Sequence, residues 1–230
     1  MSYILAHTGL VLELMGQHLE MTLLTLGMAI GIAVPLGLFL HRIPVLAVPV
    51  MGLLGLLYTI PSLALIILLV PIFGLSRLAV VVAMVIYSQV ILVRHVLVGL
   101  DSIKLTLLEA AAGMGMNAWQ CWWWIQVPLS LPIVLAGVRL AAIVAVAVAT
   151  VGAKFGAGGL GTLLFEGIAQ AGRADKLWAG AIAVGSLALV LNTLLLGLEW
   201  AVKPGRWLWV PQPLRRLIWG GSPDKICSRS

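Results

Sequence analysis

Residues 78–98 read LAVVVAMVIYSQVILVRHVLV, and Arg94 is the only residue in them charged at neutral pH. A membrane-spanning helix needs about twenty mostly apolar residues, because each adds about 1.5 Å across a hydrocarbon core of about 30 Å. Inside lipid, backbone N–H and C=O groups must be satisfied within the segment, which makes such a run helical. The stretch therefore reads as a transmembrane helix. Four more runs of the same kind lie on either side, at residues 21–40, 46–70, 131–151 and 177–202. Breaks separate them: His41-Arg42-Ile43-Pro44, Gly74-Leu75-Ser76-Arg77, the long stretch 99–130, and residues 152–176.

The composition agrees. The chain has 230 residues, of which 62% are AVILMFWYC and 10% are charged. With its 25 Gly the apolar share is about 73%, against about 45–50% for soluble domains. A globule of this size has too much surface to hide so much apolar area. The mean hydropathy is +1.13. These values exclude a soluble enzyme, a disordered chain and a collagen-like fibre. A transmembrane barrel would show ten-residue alternating segments instead of long runs. The fold class is all-α, a polytopic membrane protein of about five spans.

Residues 1–20 have no basic leader, and Glu13 and Glu20 interrupt their apolar stretch, so they do not read as a secretory signal. Ile4, Leu10, Val11 and Leu14 point to an interfacial helix outside the membrane, with a sixth partial span as the alternative. Residues 203–230 form a basic tail. With the N-terminus outside, Arg42, Arg94, Lys104, Arg139, Lys203, Arg206, Arg215, Arg216, Lys225 and Arg229 fall inside. Only Arg77, Lys154, Arg173 and Lys176 fall outside. Cytoplasmic loops are enriched in Lys and Arg, so ten against four places the 99–130 loop and the tail in the cytoplasm. The net charge of +6 is then a membrane signature, and no basic stripe with interleaved aromatics points to nucleic acid.

Cys121 and Cys227 lie far apart, and His7, His18, His41 and His95 are scattered, so neither a disulfide framework nor a metal cluster is expected. No paired carboxylates, Ser/His pair or HExxH indicates an enzyme. Pro49, Pro61 and Pro71 predict a kinked second span, with Thr59 and Ser62 placing polar groups at the bend. Gln89 and Asn192 are the polar residues within spans, and such residues face a bundle interior or a path. Interhelical hydrogen bonding is the plainer of those two roles. Tyr58 and Tyr87 are candidates for cation–π contact with a quaternary ammonium. The candidate translocation path is thus Tyr58, Pro61, Ser62, Tyr87, Gln89 and Asn192. Gly27 and Gly31 form a GxxxG, common in any membrane bundle.

The 99–130 loop reads GLDSIKLTLLEAAAGMGMNAWQCWWWIQVPLS. Asp101 or Ser102 can cap a helix, and Leu105, Leu108 and Ala112 make one apolar stripe. Gly113 and Gly115 break it, and Asn117 with Gln120 resembles a capping pair for a second short helix. Trp119, Trp122 and Trp123 share a side, which suits a helix along the inner surface. Pro128 ends it and Pro132 opens the next span. Small Ala110, Ala111, Ala112 and Gly115 permit close approach of a partner.

Glu109-Ala110-Ala111, three residues, Gly115, nine residues, then Ile125-Gln126-Val127-Pro128 match EAA-x3-G-x9-I-x-L-P, with Val127 for Leu. This resembles the EAA loop of inner-membrane permease subunits of binding-protein-dependent ABC importers. Ile60-Pro61-Ser62-Leu63-Ala64-Leu65, the 107–116 segment and Gly156-Ala157-Gly158-Gly159-Leu160-Gly161 resemble the osmoprotectant branch, which imports glycine betaine, choline, carnitine or proline betaine. The resemblance implies a type I importer permease fold with a cytoplasmic coupling-helix loop, in a bacterial inner membrane. It implies a second permease copy or paralogue, cytoplasmic ABC ATPases on the loops and an extracytoplasmic substrate-binding protein. Glu109, Ala110, Ala111, Gly115, Ile125 and Pro128 carry over as the docking loop, Glu109 as polar anchor and Gly115 as the turn. The chain has no GxxxxGK[ST] loop and needs no cofactor of its own; ATP and Mg belong to the partner. Gly156, Gly158 and Gly161 also satisfy GxGxxG, but a membrane span precedes them instead of a strand, so the reading is a tight extracytoplasmic turn. Two further readings remain: an ABC permease for another small solute such as an amino acid, or a stand-alone secondary transporter. The EAA loop and the absence of visible internal repeats oppose the latter.

Overall fold

The structure is a computed structural model that describes residues 2–170 and 173–203. The expected basic tail, beyond Lys203, lies outside the described residues. The chain is all-α, as expected. A short α1 (Ser2–Ala6) leads into α2 (Thr8–Arg42), a single helix of 35 residues. At 1.5 Å per residue α2 is about 52 Å long, more than the hydrocarbon core needs, so one end projects beyond it. Residues 8–20 are therefore not a separate interfacial helix but the outer turns of the first span. Glu20 pairs there with Arg77 at 2.9 Å at the end of the bundle, and Glu13, one turn before Gln17, accepts from its Nε2 at 3.4 Å.

The second span differs more. Instead of one kinked helix, α3 (Pro44–Thr59) and α4 (Ser62–Phe73) meet at 95°. At about 24 and 18 Å neither crosses alone. Pro61 sets the break: the residue before a proline is driven out of the helical region, and Ile60 sits at φ −63°, ψ 127°. Pro49 and Pro71 lie inside their helices and do not break them.

α5 (Arg77–Asp101) is the central helix, with sixteen buried residues. It packs against α2, α3, α4 and α8 (Val127–Gly152). Two ion pairs fix its direction relative to α2: Glu20 with Arg77, and His41 with Asp101 at 3.1 Å. Both partners advance along the chain together, so α2 and α5 run parallel. The two pairs are about 30–36 Å apart along these helices, close to the thickness of a hydrocarbon core. The chain leaves α2 at one end and enters α5 at the other, so α3 and α4 together form one broken crossing rather than a re-entrant loop. α8 returns antiparallel to α5, with Gly99 against Ser130 at one end and Gly152 against Val80 at the other. The last span is α10 (Ala174–Val202). The bundle is a five-pass membrane protein.

Two apolar clusters hold it. The larger joins α2, α4, α5 and α8 through residues such as Met21, Leu40, Ile66, Met84, Leu92 and Ala145. The second, at the end opposite the 99–130 loop, joins Tyr3, Val11 and Leu14 to Leu160 and Leu163 of α9 (Gly161–Ala169) and to Ala179, Ala183 and Leu187 of α10. The 156–161 turn lies at that same end, where its Gly159 N–H donates to Gln17 Oε1 at 3.0 Å. Gly156, Gly158 and Gly159 have φ of +76° to +81°. Gly161 serves differently: a Cβ there would lie 2.1 Å from the Thr150 carbonyl oxygen. Turn geometry and close approach thus account for the GxGxxG spacing without a nucleotide. Gly27 and Gly31 meet nothing within 4 Å, so among the described residues no helix packs on that motif.

Candidate functional site

The helix α6 (Leu105–Gly113) opens after Lys104, not at Asp101 or Ser102 as the sequence suggested. α5 runs on through Asp101, and the Ser102 hydroxyl donates to the Gly99 carbonyl, which closes α5 rather than starting α6. Gly115 then ends α6 in a Schellman motif. Its φ is +79°, the Met116 N–H donates to the Ala111 carbonyl at 3.1 Å, and the Gly115 N–H donates to the Ala112 carbonyl at 2.9 Å. A second signal follows at once. The Asn117 side chain accepts from the Gln120 N–H at 2.8 Å, and the Gln120 side chain accepts from the Asn117 N–H at 2.9 Å. This capping box starts α7 (Ala118–Cys121).

Pro128 does not end that helix. Residues Trp122–Gln126 form a π turn, and α7 continues through it into α8. The Val127 N–H reaches back to the Trp122 carbonyl. The widened turn moves the preceding carbonyls away from the Pro128 ring, which would clash in a regular α-helix. The two short helices are thus joined differently from the expectation: α6 is a separate short helix, whereas α7 is the first turn of a helix of 38 residues from Ala118 to Phe155.

Glu109 and Ala110 are exposed on α6, and among the described residues no hydrogen bond or ion pair engages Glu109. Ala111 is fully buried, so it anchors α6 to its own chain and is not offered to a partner. Ile125 and Pro128 are half-buried in and after the π turn. A groove of about 380 Å3 opens beside the turn, between Met114, Gly115, Met116, Gln120 and Trp124. Trp119 and Trp123 pack edge to face at 5.5 Å, and Trp124 is exposed.

A second cluster surrounds the broken crossing. The Tyr87 hydroxyl of α5 donates to the Ile60 carbonyl, the group freed where the chain leaves α3. Tyr58 meets Tyr87 edge to face at 5.5 Å. Pro61 is exposed at the bend and Ser62 is the half-buried first residue of α4. Tyr58, Pro61, Ser62 and Tyr87 therefore gather in one place. Gln89 and Asn192 do not join them. Gln89 Nε2 donates to the Ala29 carbonyl of α2 at 3.4 Å, and Asn192 Oδ1 accepts from Arg139 Nη1 at 3.4 Å. Both act as interhelical glue.

Sequence reading missed a buried ion pair. Arg139, counted among the cytoplasmic-side charges although it falls in the 131–151 run, lies well inside α8, with Nε 3.4 Å from Glu199 Oε2 of α10. Lys203 Nζ lies 3.5 Å from the other Glu199 oxygen. An acid and a base, each alone in an apolar span, were the available signal. His18 was also missed: fully buried, it pairs Nε2 with the Val146 carbonyl at 3.2 Å and joins α2 to α8.

Residues 27–206 match the family described as binding-protein-dependent transport system inner membrane component. Among curated proteins the chain is 40% identical to the osmoprotectant import permease protein OsmW of Salmonella typhimurium, covering 88% of this chain and 96% of that one. It is 37% identical to the carnitine transport permease protein OpuCB of Listeria monocytogenes, covering 82% and 86%. It is 31% identical to the glycine betaine/carnitine/choline transport system permease protein OpuCB of Bacillus subtilis, covering 89% and 94%. Among solved structures, a chain from inward-facing conformations of the MetNI methionine ABC transporter superposes with a TM-score of 0.76 at 21% identity, covering 86% of this chain and 98% of that chain. That likeness concerns the fold.

Proposed function

The chain belongs to the binding-protein-dependent transport system inner membrane component family, and from that premise we propose that it imports a quaternary-amine osmolyte of the glycine betaine, choline or carnitine type. It is a multi-pass inner-membrane permease subunit of an ABC importer. The observation that carries the substrate reading is the identity of 31–40%, over more than four-fifths of the chain, to permeases named for osmoprotectant, carnitine and glycine betaine/carnitine/choline transport. The exposed aromatic Tyr58, edge-on to Tyr87 at the broken crossing, suits a quaternary ammonium, because an aromatic face attracts a cation that has no hydrogen to donate.

The loop end faces the cytoplasm, in line with the Lys/Arg bias. There α6 docks the ATPase, with Glu109 as the exposed charge and Gly115 as the turn that frees the helix. The 156–161 turn faces the binding protein on the other side. A second permease copy or paralogue completes the path. The test is uptake by cells that lack other osmolyte importers and express the chain with its cognate ATPase and binding protein. Labelled glycine betaine, choline or carnitine should accumulate, and methionine should not. Uptake of an amino acid with no quaternary amine transported would replace this reading by the amino-acid one.

A further inference from the structure

A cavity of about 530 Å3 opens between the last turn of α2 and the start of the helix that becomes α8. Its lining includes Leu38, His41 and Arg42 on one side and Trp119, Trp122 and Gln126 on the other. Three features specify an occupant. The first is charge. His41 is already engaged by Asp101 at 3.1 Å, whereas among the described residues no carboxylate pairs with Arg42. A guanidinium presents a planar fork of donors that matches phosphate oxygens. The second is depth. His41 belongs to one of the two ion pairs that lie about 30 Å apart along α2 and α5, so the cavity sits at a membrane surface, at headgroup level. The third is the lining. Trp119 and Trp122 are the side chains favoured at that level, and Leu38 continues the wall toward the apolar part of α2. Basic pockets between spanning helices at this depth suit anionic lipid headgroups, and the volume lies in the range of small-ligand sites. A free phosphate ion would leave the Trp and Leu walls unused.

We infer that this cavity binds the phosphodiester headgroup of an anionic phospholipid, with Arg42 pairing the phosphate and Trp119 and Trp122 flanking the glycerol. Such a site lies beside α7, next to the docking loop, so a bound lipid would brace the helix that leads into α8.

Native mass spectrometry of the full chain with its ATPase, after exposure to phosphatidylglycerol or phosphatidylcholine, reads retained lipid directly. Phosphatidylglycerol should be retained several-fold over phosphatidylcholine. Arg42→Gln should lower that retention by about fivefold, the effect of roughly one surface cation on an anionic lipid. Arg42→Lys should keep part of it, and Arg77→Gln, at the other end of the bundle, should keep all of it. Should Arg42→Gln resist purification, Trp119→Ala tests the facing wall and should lose the lipid likewise. Equal retention of the two lipids would overturn the assignment, as would an unchanged Arg42→Gln. So would displacement of the lipid by millimolar inorganic phosphate, or its loss whenever the ATPase binds, which would give the cavity to phosphate or to the ATPase.

Discussion

At φ +79° Gly115 occupies a region where an L side chain costs about 1–2 kcal/mol, and nothing lies within 4 Å of where its Cβ would stand. The penalty for a side chain there is purely one of backbone conformation. Gly115→Val should reach the membrane yet lose most of its captured ATPase in co-purification. Gly115→Asn, whose side chain tolerates the left-handed region, should retain more. Equal capture by the glycine, asparagine and valine forms would show that the turn does not present α6. Glu109 offers the complementary test. Because it is exposed and unpaired among the described residues, Glu109→Gln should change the chain's own stability by less than about 0.5 kcal/mol. ATPase capture should nonetheless weaken, with a smaller salt dependence, because an exposed charge contact is screened by salt. A lowered melting temperature with full capture would assign Glu109 to internal packing instead. Gly115, Asn117 and Gln120 were legible in the sequence because their hydrogen bonds close within six residues. Ala111 was not: it differs from Ala110 only in which way the helix turns it, and the residue type does not encode that.

Among elements, the broken crossing shows how far proline reading reaches. Pro35, Pro49, Pro61, Pro71 and Pro132 all lie in apolar runs, and only Pro61 separates two helices. The difference lies outside the local sequence. Tyr87, on another span, accepts the role of partner to the carbonyl that the break exposes. Tyr87→Phe should therefore cost about 1 kcal/mol for the lost hydrogen bond to this half-buried acceptor, read as a lower melting temperature in detergent, together with reduced transport. Unchanged stability would mean that another group satisfies Ile60. The same reasoning covers Arg139 and Glu199. Removing one partner of a buried pair leaves the other charge stranded, whereas removing both can be nearly neutral. Arg139 is nearly a third exposed and Lys203 adds a second cation, so the cost of Glu199→Gln is reduced to about 1–2 kcal/mol. The double variant Arg139→Leu with Glu199→Leu should unfold at a higher temperature than Glu199→Gln alone. The reverse order would show that the two charges are not coupled.

For the whole molecule, the number of crossings was legible because each apolar run had the length of a bilayer. Their directions are fixed in the structure by pairs that join residues 57 and 60 positions apart, at the two ends of α5. No local pattern could identify those partners. The five-pass arrangement leaves the N-terminus and Lys203 on opposite sides and puts α6 on the Lys203 side. With the ATPase docked on α6 as proposed, such an importer moves solute only when ATP is hydrolysed on the α6 side. The most direct measurement is solute uptake by proteoliposomes that contain the chain and its ATPase, with binding protein and labelled glycine betaine supplied on the face opposite α6. Uptake should appear only with ATP enclosed on the α6 side, and Glu109→Gln should reduce it. Accumulation driven by an ion gradient without ATP, or by ATP supplied only on the opposite face, would contradict an ATP-coupled importer of this orientation.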